Sequence, residues 1–192
     1  MEIILASNSK RRKELLKKIN LKFKVVVSNF NEDSILENHR NPEKYCLELA
    51  FKKAGTVSKQ LKNDLIIGAD TIVYHKNKII GKPKSRIDAF NYLSTLSNST
   101  HSVYTGVSIL NTKLNLKKSL IDETKVTFNK LNNSEINYYI DNHDPYDKAG
   151  AYGIQGWSSV FVKKIDGCFY NVVGLPLPKF YKLFNTLNLK ND

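Results

Sequence analysis

Residues 65–83 place an acid and a base where they could carry out phosphate chemistry. An apolar run passes two small residues and reaches Asp70, a carboxylate inside a strand-like segment. Because an unpaired buried carboxylate costs several kcal/mol, Asp70 is expected to line a cleft or to hold a cation. The polar run at 75–78 predicts a hairpin that returns Lys82 to the side of Asp70. This pair suggests a metal and a phosphate, and a structural ion pair at a strand end is the alternative.

A serine-rich turn followed by two arginines is a second candidate for phosphate binding. A short buried strand is expected before Ser7 and Ser9, and a helix after them, with Ser9 as its N-cap. Arg11 and Arg12 fall in the first helical turn, where cations oppose the helix dipole and need an anion to offset the cost. Backbone N–H groups and hydroxyls would complete the phosphate cradle. A pair of solvated arginines is the alternative.

The segment 147–157 is rich in glycine and lacks the alternation of a strand. Glycines at this density indicate positive backbone angles or the close approach of a ligand. Gln155 is the polar group that such a loop could present. Its amide donates and accepts hydrogen bonds, which suits the imide edge of a pyrimidine such as uracil or thymine. An ordinary surface loop with an exposed glutamine is the alternative.

The remaining pattern mixes strands and helices along the whole chain. We expect, in order, a strand at 24–27, an acidic loop at 31–33, a helix opened by Asn41 and Pro42, a helix over 85–96, strands over 101–110 and 118–128, a helix over 134–142, apolar segments at 160–165 and 169–173, and a helix over 178–187. Long adjacent strands after residue 100 favour antiparallel pairing, so the pattern predicts an α/β protein with a mixed sheet.

Lys53 borders the apolar face of the helix that Asn41 opens. It is either a lysine that extends along apolar surface to solvent or a ligand contact, and periodicity does not decide between them. The apolar face predicted for this helix consists of Leu47, Ala50, Phe51, Ala54 and Val57.

The composition is that of a globular protein with a strong basic excess. Of 192 residues, 41% are hydrophobic and 25% are charged, and the formal net charge is +12. Such a charge can indicate nucleic-acid binding. However, nearly all of it is scattered lysine, without a basic stripe interleaved with aromatic residues. We attribute it to an AT-rich genome, and we expect it to attract polyanionic small molecules such as nucleotides.

The sequence gives no sign of a membrane, a secretion signal or a zinc site. No apolar run approaches the roughly 20 residues that span a bilayer, so a cytoplasmic location is expected. Cys46 and Cys168 are far apart and are predicted to be buried, reduced thiols. The histidines at positions 39, 75, 101 and 143 lack zinc-ligand spacing.

Several motifs, in conserved order, closely resemble the Maf family and together span nearly the whole chain. They are LASNSKRRKELL at 5–16, GADT at 68–71, GKP at 81–83, TGV at 105–107, KAGAYGIQG at 148–156 and NVVGLP at 171–176. Proteins of this family are nucleoside triphosphate pyrophosphatases, which hydrolyse an NTP to the monophosphate and pyrophosphate.

The resemblance implies a fold related to that of the inosine triphosphatases. Combined with the pattern above, it predicts one domain over 1–192, with a mixed, largely antiparallel twisted sheet, flanking helices, and two lobes around a central cleft. It also implies a homodimer with a small-molecule nucleoside triphosphate as its substrate.

The resemblance assigns catalytic roles to Asp70, Glu32 and Lys82. Asp70 would orient or deprotonate the attacking water, directly or through Mg2+ or Mn2+ held by Asp70 and Glu32. Lys82 would neutralise charge that develops on the phosphates. The substrate-binding residues implied by the resemblance are Ser7, Ser9, Arg11, Arg12, Lys53, Thr71, Lys148 and Gln155.

Arg11, Thr71 and Gln155 match the subfamily that acts on dTTP and UTP, with CTP and modified pyrimidine nucleotides as further candidates. Lys10 replaces the usual proline, and Asp147 is placed outside the ligand contacts. One alternative is a non-enzymatic nucleic-acid-binding or division-regulating protein, although paired acids repel an anion unless a metal intervenes. The other is a broad-specificity house-cleaning NTP pyrophosphatase.

Overall fold

The structure is a computed structural model that describes residues 1–35 and 40–187. Its strands are β1 (Ile3–Leu5), β2 (Lys24–Val25), β3 (Leu65–His75), β4 (Lys78–Ile80), β5 (Thr100–Asn111), β6 (Leu116–Phe128) and β7 (Val162–Asp166). Its α-helices are α1 (Lys10–Lys18), α2 (Pro42–Ser58), α3 (Arg86–Leu96), α4 (Asn133–Asn142), α5 (Phe169–Val173) and α6 (Leu177–Asn185). Short 3-10 segments lie at Glu32–Ser34, Ala149–Ala151 and Trp157–Phe161. His39 lies outside the described residues.

Helix starts follow polar side chains that cap the first turn. Ser9 caps α1, Asn41 caps α2 with Pro42 at the first helical position, and Ser85 caps α3. Each side chain accepts a hydrogen bond from the backbone N–H three residues ahead, which would otherwise lack a helical partner. The helix starts predicted from these residues are therefore confirmed.

The strands form a seven-stranded, mostly antiparallel sheet. The order is β2-β1-β3-β5-β6-β7, and β4 pairs with β3. β1 runs parallel to β2 and β3, whereas β3 is antiparallel to β4 and β5, and β6 is antiparallel to β5 and β7. This is the mixed α/β sheet with flanking helices that the sequence predicted.

The edge of β3 that faces β1 and β4 contains a gap. β1 pairs with β3 only over 65–67, and β4 pairs with it only over 73–75. Residues 68–72 pair with β5 on the other side, and within the described chain no strand pairs with them on this side. Asp70 and Thr71 lie in this gap, so side chains from both faces of β3 can reach the same space.

The two faces of β3 pack against different helices. Ile67 and Ala69 contact the apolar cluster that includes residues of α1, α5 and α6. Ile66 lies on the opposite face, in a cluster with Ala54 of α2. By the alternation of a strand, Asp70 faces α2 and Thr71 faces α1.

Two glycines let α2 approach the sheet closely. A Cβ atom on Gly68 would lie 2.4 Å from the carbonyl oxygen of Ala50, and one on Gly106 would lie 2.9 Å from that of Cys46. Within α2, Ala50 lies about one turn before Lys53, and Cys46 lies about two turns before it. The close contact therefore places Lys53 over Asp70.

Several sequence-based boundaries differ from the structure. β2 ends at Val25 instead of residue 27, as an exposed strand at the edge of the sheet. The face of α2 that packs on the sheet includes Cys46 and Leu49, whereas Leu47 is only half-buried. The segment 169–173, left unassigned by its pattern, is helix α5.

Both cysteines are free thiols, as predicted, but only Cys46 is fully buried. Cys168 is half-buried at the start of α5. Among the described residues no helix is both long and apolar enough to cross a membrane.

His101 is a buried titratable group in the centre of the fold. Its Nε2 lies 2.8 Å from the hydroxyl of Tyr152, and its ring contacts Phe128 and Tyr152 edge-on. Burial lowers its pKa from 6.5 to about 3. His101 is therefore neutral in the folded protein at neutral pH.

We predict that Gly68→Ala destabilises the fold by about 3 kcal/mol, because the new methyl group meets the backbone of α2 and forces the helix off the sheet. Gly55→Ala is the matched control, since a Cβ atom on Gly55 meets nothing within 4 Å. Gly55→Ala should instead raise the free energy of unfolding by roughly 0.5–1 kcal/mol, because alanine has the higher helix propensity. Urea denaturation of both variants measures this difference, and equal effects would contradict the close packing of α2.

We predict that acidification destabilises the protein through His101. The unfolded chain binds a proton near pH 6.5 and the folded chain does not, so stability is complete above that pH and falls below it. Between about pH 7 and about pH 5.5 the free energy of unfolding should drop by about 1 kcal/mol from this group. His101→Gln should flatten the dependence, whereas His143→Gln, at an exposed histidine, should not. An unchanged slope in His101→Gln would contradict this assignment.

Candidate active site

A cavity of about 590 Å3 opens at the gap in the sheet edge. It is lined by the turn after β1, the centre of β3, the residues after β4 and the glycine-rich segment before β7. Every residue that the resemblance assigned to the site lines it: Ser7, Ser9, Arg11, Arg12, Glu32, Lys53, Asp70, Thr71, Lys82, Lys148 and Gln155.

Lys53 joins the two acids of the cavity. Its Nζ lies 2.5 Å from Oδ1 of Asp70 and 2.8 Å from Oε1 of Glu32. The side chains of Lys53 and Asp70 are only 13% and 9% exposed, whereas that of Glu32 is 45% exposed. Lys53 is therefore a cavity contact, and the alternative of a lysine that extends to solvent is excluded.

The pKa values of Lys53 and Glu32 are shifted by the opposite charges beside them. Burial lowers the pKa of Lys53, but the negative charges of Asp70 and Glu32 outweigh it and raise the pKa overall. Burial likewise raises the pKa of Glu32, and the nearby Lys53 charge outweighs it and lowers that pKa. At neutral pH Lys53 is thus a charged ammonium group and Glu32 an ionised carboxylate.

Arg12 is fixed in the cavity wall by three acceptors. Its Nε donates to the carbonyl of Gly174 at 2.8 Å, its Nη1 to Oγ of Ser7 at 3.2 Å, and its Nη2 to Oγ1 of Thr71 at 3.0 Å. Burial lowers the pKa of Arg12, and the charge of Asp70 partly offsets this effect. A buried, oriented guanidinium of this kind suits an anionic ligand.

The turn after β1 presents hydroxyls and backbone N–H groups to the cavity. Oγ of Ser9 accepts from the N–H of Arg12 at 3.4 Å, and the N–H of Ser9 donates to Oγ of Ser7 at 3.3 Å. The helix dipole of α1 adds positive potential at the same point. These groups line the cavity at the start of α1, and phosphate binding there stays a prediction.

A chain of buried polar groups extends from Thr71, the partner of Arg12, and the sequence did not predict it. Oγ1 of Thr71 lies 2.9 Å from Oγ1 of Thr105, whose hydroxyl donates to the carbonyl of Asn171. The Asn171 amide donates to the carbonyl of Val103 and to Oγ1 of Thr124. Thr105 and Asn171 lie in motifs that the sequence singled out, but neither was given a role.

Lys82 lines the cavity at the end of the β3 gap where β4 pairs. The hairpin predicted at 75–78 is present, with His75 paired to Lys78, and Lys82 follows directly after β4. The carbonyl of Gly81 accepts a hydrogen bond from the N–H of Gly150 at 2.9 Å. This contact joins the Lys82 segment to the glycine-rich segment.

The outer part of the cavity contains a second group of charges. Nη1 of Arg11 lies 3.0 Å from Oδ2 of Asp147, and Nζ of Lys148 contacts the other oxygen of the same carboxylate. Gln155 is exposed and lines the same cavity. Asp147, which the resemblance leaves outside the ligand contacts, lies in the cavity wall.

Asp70 and Glu32 are the two carboxylates of the cavity that could hold a metal ion, since both contact Lys53. Among the described residues no group of three or more histidine, cysteine or acidic side chains could hold a metal ion. Mg2+ is commonly held by one or two carboxylates together with substrate phosphates, so the donor set of Asp70 and Glu32 fits such an ion. The convergence of both carboxylates on the Lys53 ammonium places them within reach of a shared cation.

Comparison with known proteins finds relatives over nearly the whole chain. A family model described as Maf-like protein matches residues 2–187. A dTTP/UTP pyrophosphatase of Clostridium novyi is 47% identical over 190 residues, covering 98% of this chain and 99% of the relative. A dTTP/UTP pyrophosphatase of Clostridium botulinum (strain Kyoto / Type A2) is 51% identical over 180 residues, covering 92% of each.

The fold also has a solved structural relative. The structure of a HAM1 protein from Coxiella burnetii matches with a TM-score of 0.54 at 13% identity, covering 97% of this chain and 99% of that one. At this identity the match concerns the fold alone.

We predict that Lys53→Met destabilises the protein by about 3 kcal/mol, because it leaves the buried Asp70 carboxylate without its partner. In an Asp70→Asn background, Lys53→Met should lower the free energy of unfolding by much less. Lys24→Met is the control, since Lys24 forms an exposed ion pair with Glu2 and should contribute less than about 1 kcal/mol. Urea denaturation measures all four variants, and additive effects at Lys53 and Asp70 would contradict the coupling.

Proposed function

The chain belongs to the Maf-like protein family, and on that premise we propose that it hydrolyses dTTP and UTP to the nucleoside monophosphate and pyrophosphate. The observation that carries the proposal is the cavity at the gap in β3, which a buried acid, Asp70, lines together with six cationic residues. These residues are Lys10, Arg11, Arg12, Lys53, Lys82 and Lys148. Relatives that are 47% and 51% identical are dTTP/UTP pyrophosphatases, which supports the same activity.

The cations suit a triphosphate whose leaving group is pyrophosphate. Arg12 is oriented by fixed acceptors, so it can bind phosphate oxygens with little loss of side-chain freedom. Lys82 follows β4, at the other end of the β3 gap from β1 and the turn before Arg12. Positive groups on both sides stabilise the charge that moves onto the bridging oxygen as the α–β phosphoanhydride bond breaks.

Asp70 is the group we assign to the attacking water. In the proposed step, water attacks the α-phosphorus, the bond to the bridging oxygen breaks, and the proton of the water passes to the Asp70 carboxylate. Lys53 holds Oδ1 of Asp70 at 2.5 Å and so fixes the direction of the carboxylate. The products are the monophosphate and pyrophosphate.

Asp70 and Glu32 are the residues that would hold Mg2+ or Mn2+. A bound divalent cation would neutralise phosphate charge and lower the pKa of a water ligand. Glu32 is more exposed than Asp70, so it lies toward the open side of the cavity. This leaves the deeper carboxylate to face the reacting phosphate.

Base selectivity is assigned to the outer part of the cavity. The Gln155 amide offers a donor and an acceptor that match the imide edge of thymine or uracil. Thr71 contributes less directly, since its hydroxyl already contacts Arg12 and Thr105. CTP and modified pyrimidine nucleotides remain candidate substrates. The homodimer and the cytoplasmic location stay predictions.

We predict that the purified protein with Mg2+ releases pyrophosphate and the monophosphate from dTTP and UTP in preference to GTP, 7-methyl-GTP and ITP. Asp70→Asn should lower kcat by roughly a hundredfold or more, because it removes the proton acceptor. Asp166→Asn, at an exposed acid on β7, is the control and should keep full activity. Chromatography of the products over time measures both the rate and the bond that is cut.

Other outcomes would decide between the alternatives. Release of orthophosphate would place the cut at a different bond. Equal rates for all nucleotides, unchanged in Gln155→Glu, would favour a broad-specificity pyrophosphatase. Absence of turnover together with salt-dependent duplex binding that survives Asp70→Asn would favour the nucleic-acid-binding protein.

A further inference from the structure

Asp147 holds two cations that approach the cavity from different parts of the chain. Its Oδ2 accepts from Nη1 of Arg11 at 3.0 Å, and its backbone carbonyl accepts from Nη2 of Arg11 at 3.4 Å. Its Oδ1 contacts Nζ of Lys148. Arg11 lies at the start of α1, whereas Asp147 lies in the loop after α4, so a single carboxylate connects the two sides of the cavity mouth.

Lys148 extends this connection toward Gln155. Its ammonium also donates to the carbonyl of Asp144. Its side chain packs on Gly153, where an added Cβ atom would lie 3.0 Å from both Cδ and Cε of Lys148. The glycine therefore gives Lys148 room to lie along the segment that carries Gln155.

Fold stability does not account for this arrangement. The side chains of Arg11 and Asp147 are 30% and 53% exposed, and ion pairs with this exposure contribute little to the free energy of folding. The Arg86–Asp141 pair on the α3–α4 surface has a similar exposure, 50% and 53%, and does not line the cavity. What distinguishes Asp147 is the position of its two partners.

The carboxylate also controls the charge at the mouth. Burial raises the pKa of Asp147, but its contacts with Lys148 and Arg11 outweigh this and lower it, so the group is ionised at neutral pH. Without it, Arg11 and Lys148 would repel each other and each would lose a fixed acceptor. A nucleotide would then have to order both side chains as it binds.

We infer that Asp147 is a positioning residue for nucleotide binding, which orients Arg11 and Lys148 across the mouth of the cavity. The inference rests on the proposed function. Asp147 has no hydrogen bond or ion pair with Asp70 or Lys53, where the reaction is assigned. Its loss should therefore weaken nucleotide binding more than it slows the chemical step.

Steady-state kinetics with dTTP test the inference. Asp147→Ala should raise KM about tenfold, the loss expected for one charge-assisted hydrogen bond, with kcat changed less than about threefold. Asp147→Glu, which keeps the charge, should recover most of the affinity. In an Arg11→Ala, Lys148→Ala background, Asp147→Ala should have almost no further effect, because the residue acts through those partners. Asp141→Ala is the matched control and should leave KM and kcat unchanged.

Each contrary result has a distinct meaning. If the wild-type protein hydrolyses no nucleotide, the proposed function fails. If the wild type is active and Asp147→Ala keeps the wild-type KM, the positioning role is overturned. The positioning role is also overturned if Asp147→Ala changes only kcat. It is overturned as well if Asp147→Ala still raises KM in the Arg11→Ala, Lys148→Ala background.

Discussion

The ion pair between Lys53 and Asp70 is the interaction on which the rest of the site depends. A carboxylate in the middle of β3 is tolerable only because an ammonium group reaches it from α2. That reach in turn requires α2 to lie against the sheet, which Gly68 and Gly106 permit by lacking a Cβ atom. The same geometry keeps Lys53 charged, because the negative charges of Asp70 and Glu32 outweigh the effect of burial on its pKa. Backbone packing and electrostatics are thus inseparable at this position.

The gap along β3 explains why a cavity exists at this place in the sheet. Neighbouring residues of a strand point to opposite faces, so in a fully paired sheet Asp70 and Thr71 would lie in separate environments. Here the pairing with β1 ends at residue 67 and the pairing with β4 begins at residue 73. Through this opening, Asp70 with Lys53 on one face and Thr71 with Arg12 on the other line the same space. The Asp70 carboxylate and the Arg12 guanidinium can therefore reach one ligand from the two faces of the strand.

The sequence predicted local features well and long-range polar contacts poorly. The cap at Ser9 and the hairpin at 75–78 follow from short patterns, and motif resemblance identified residues that the fold brings together. The contact between Asp147 and Arg11 was not predicted because the two residues lie 136 positions apart, a separation with no periodic signature. Asn171 was missed for a related reason. A buried amide that bridges β5 and β6 looks, in the sequence, like any polar residue in a short apolar segment.

The net charge of +12 acquires a different meaning once the partners of the cavity cations are known. Lys53, Arg11 and Lys148 are held by acids in the cavity, so their positions are fixed and part of their charge is cancelled. A binding site for the backbone of a nucleic acid needs free cations along an open surface. This chain instead encloses paired cations, and the surplus lysines elsewhere supply a diffuse positive field that attracts small polyanions. The field accelerates encounter with a nucleotide, while the paired charges decide how it is held.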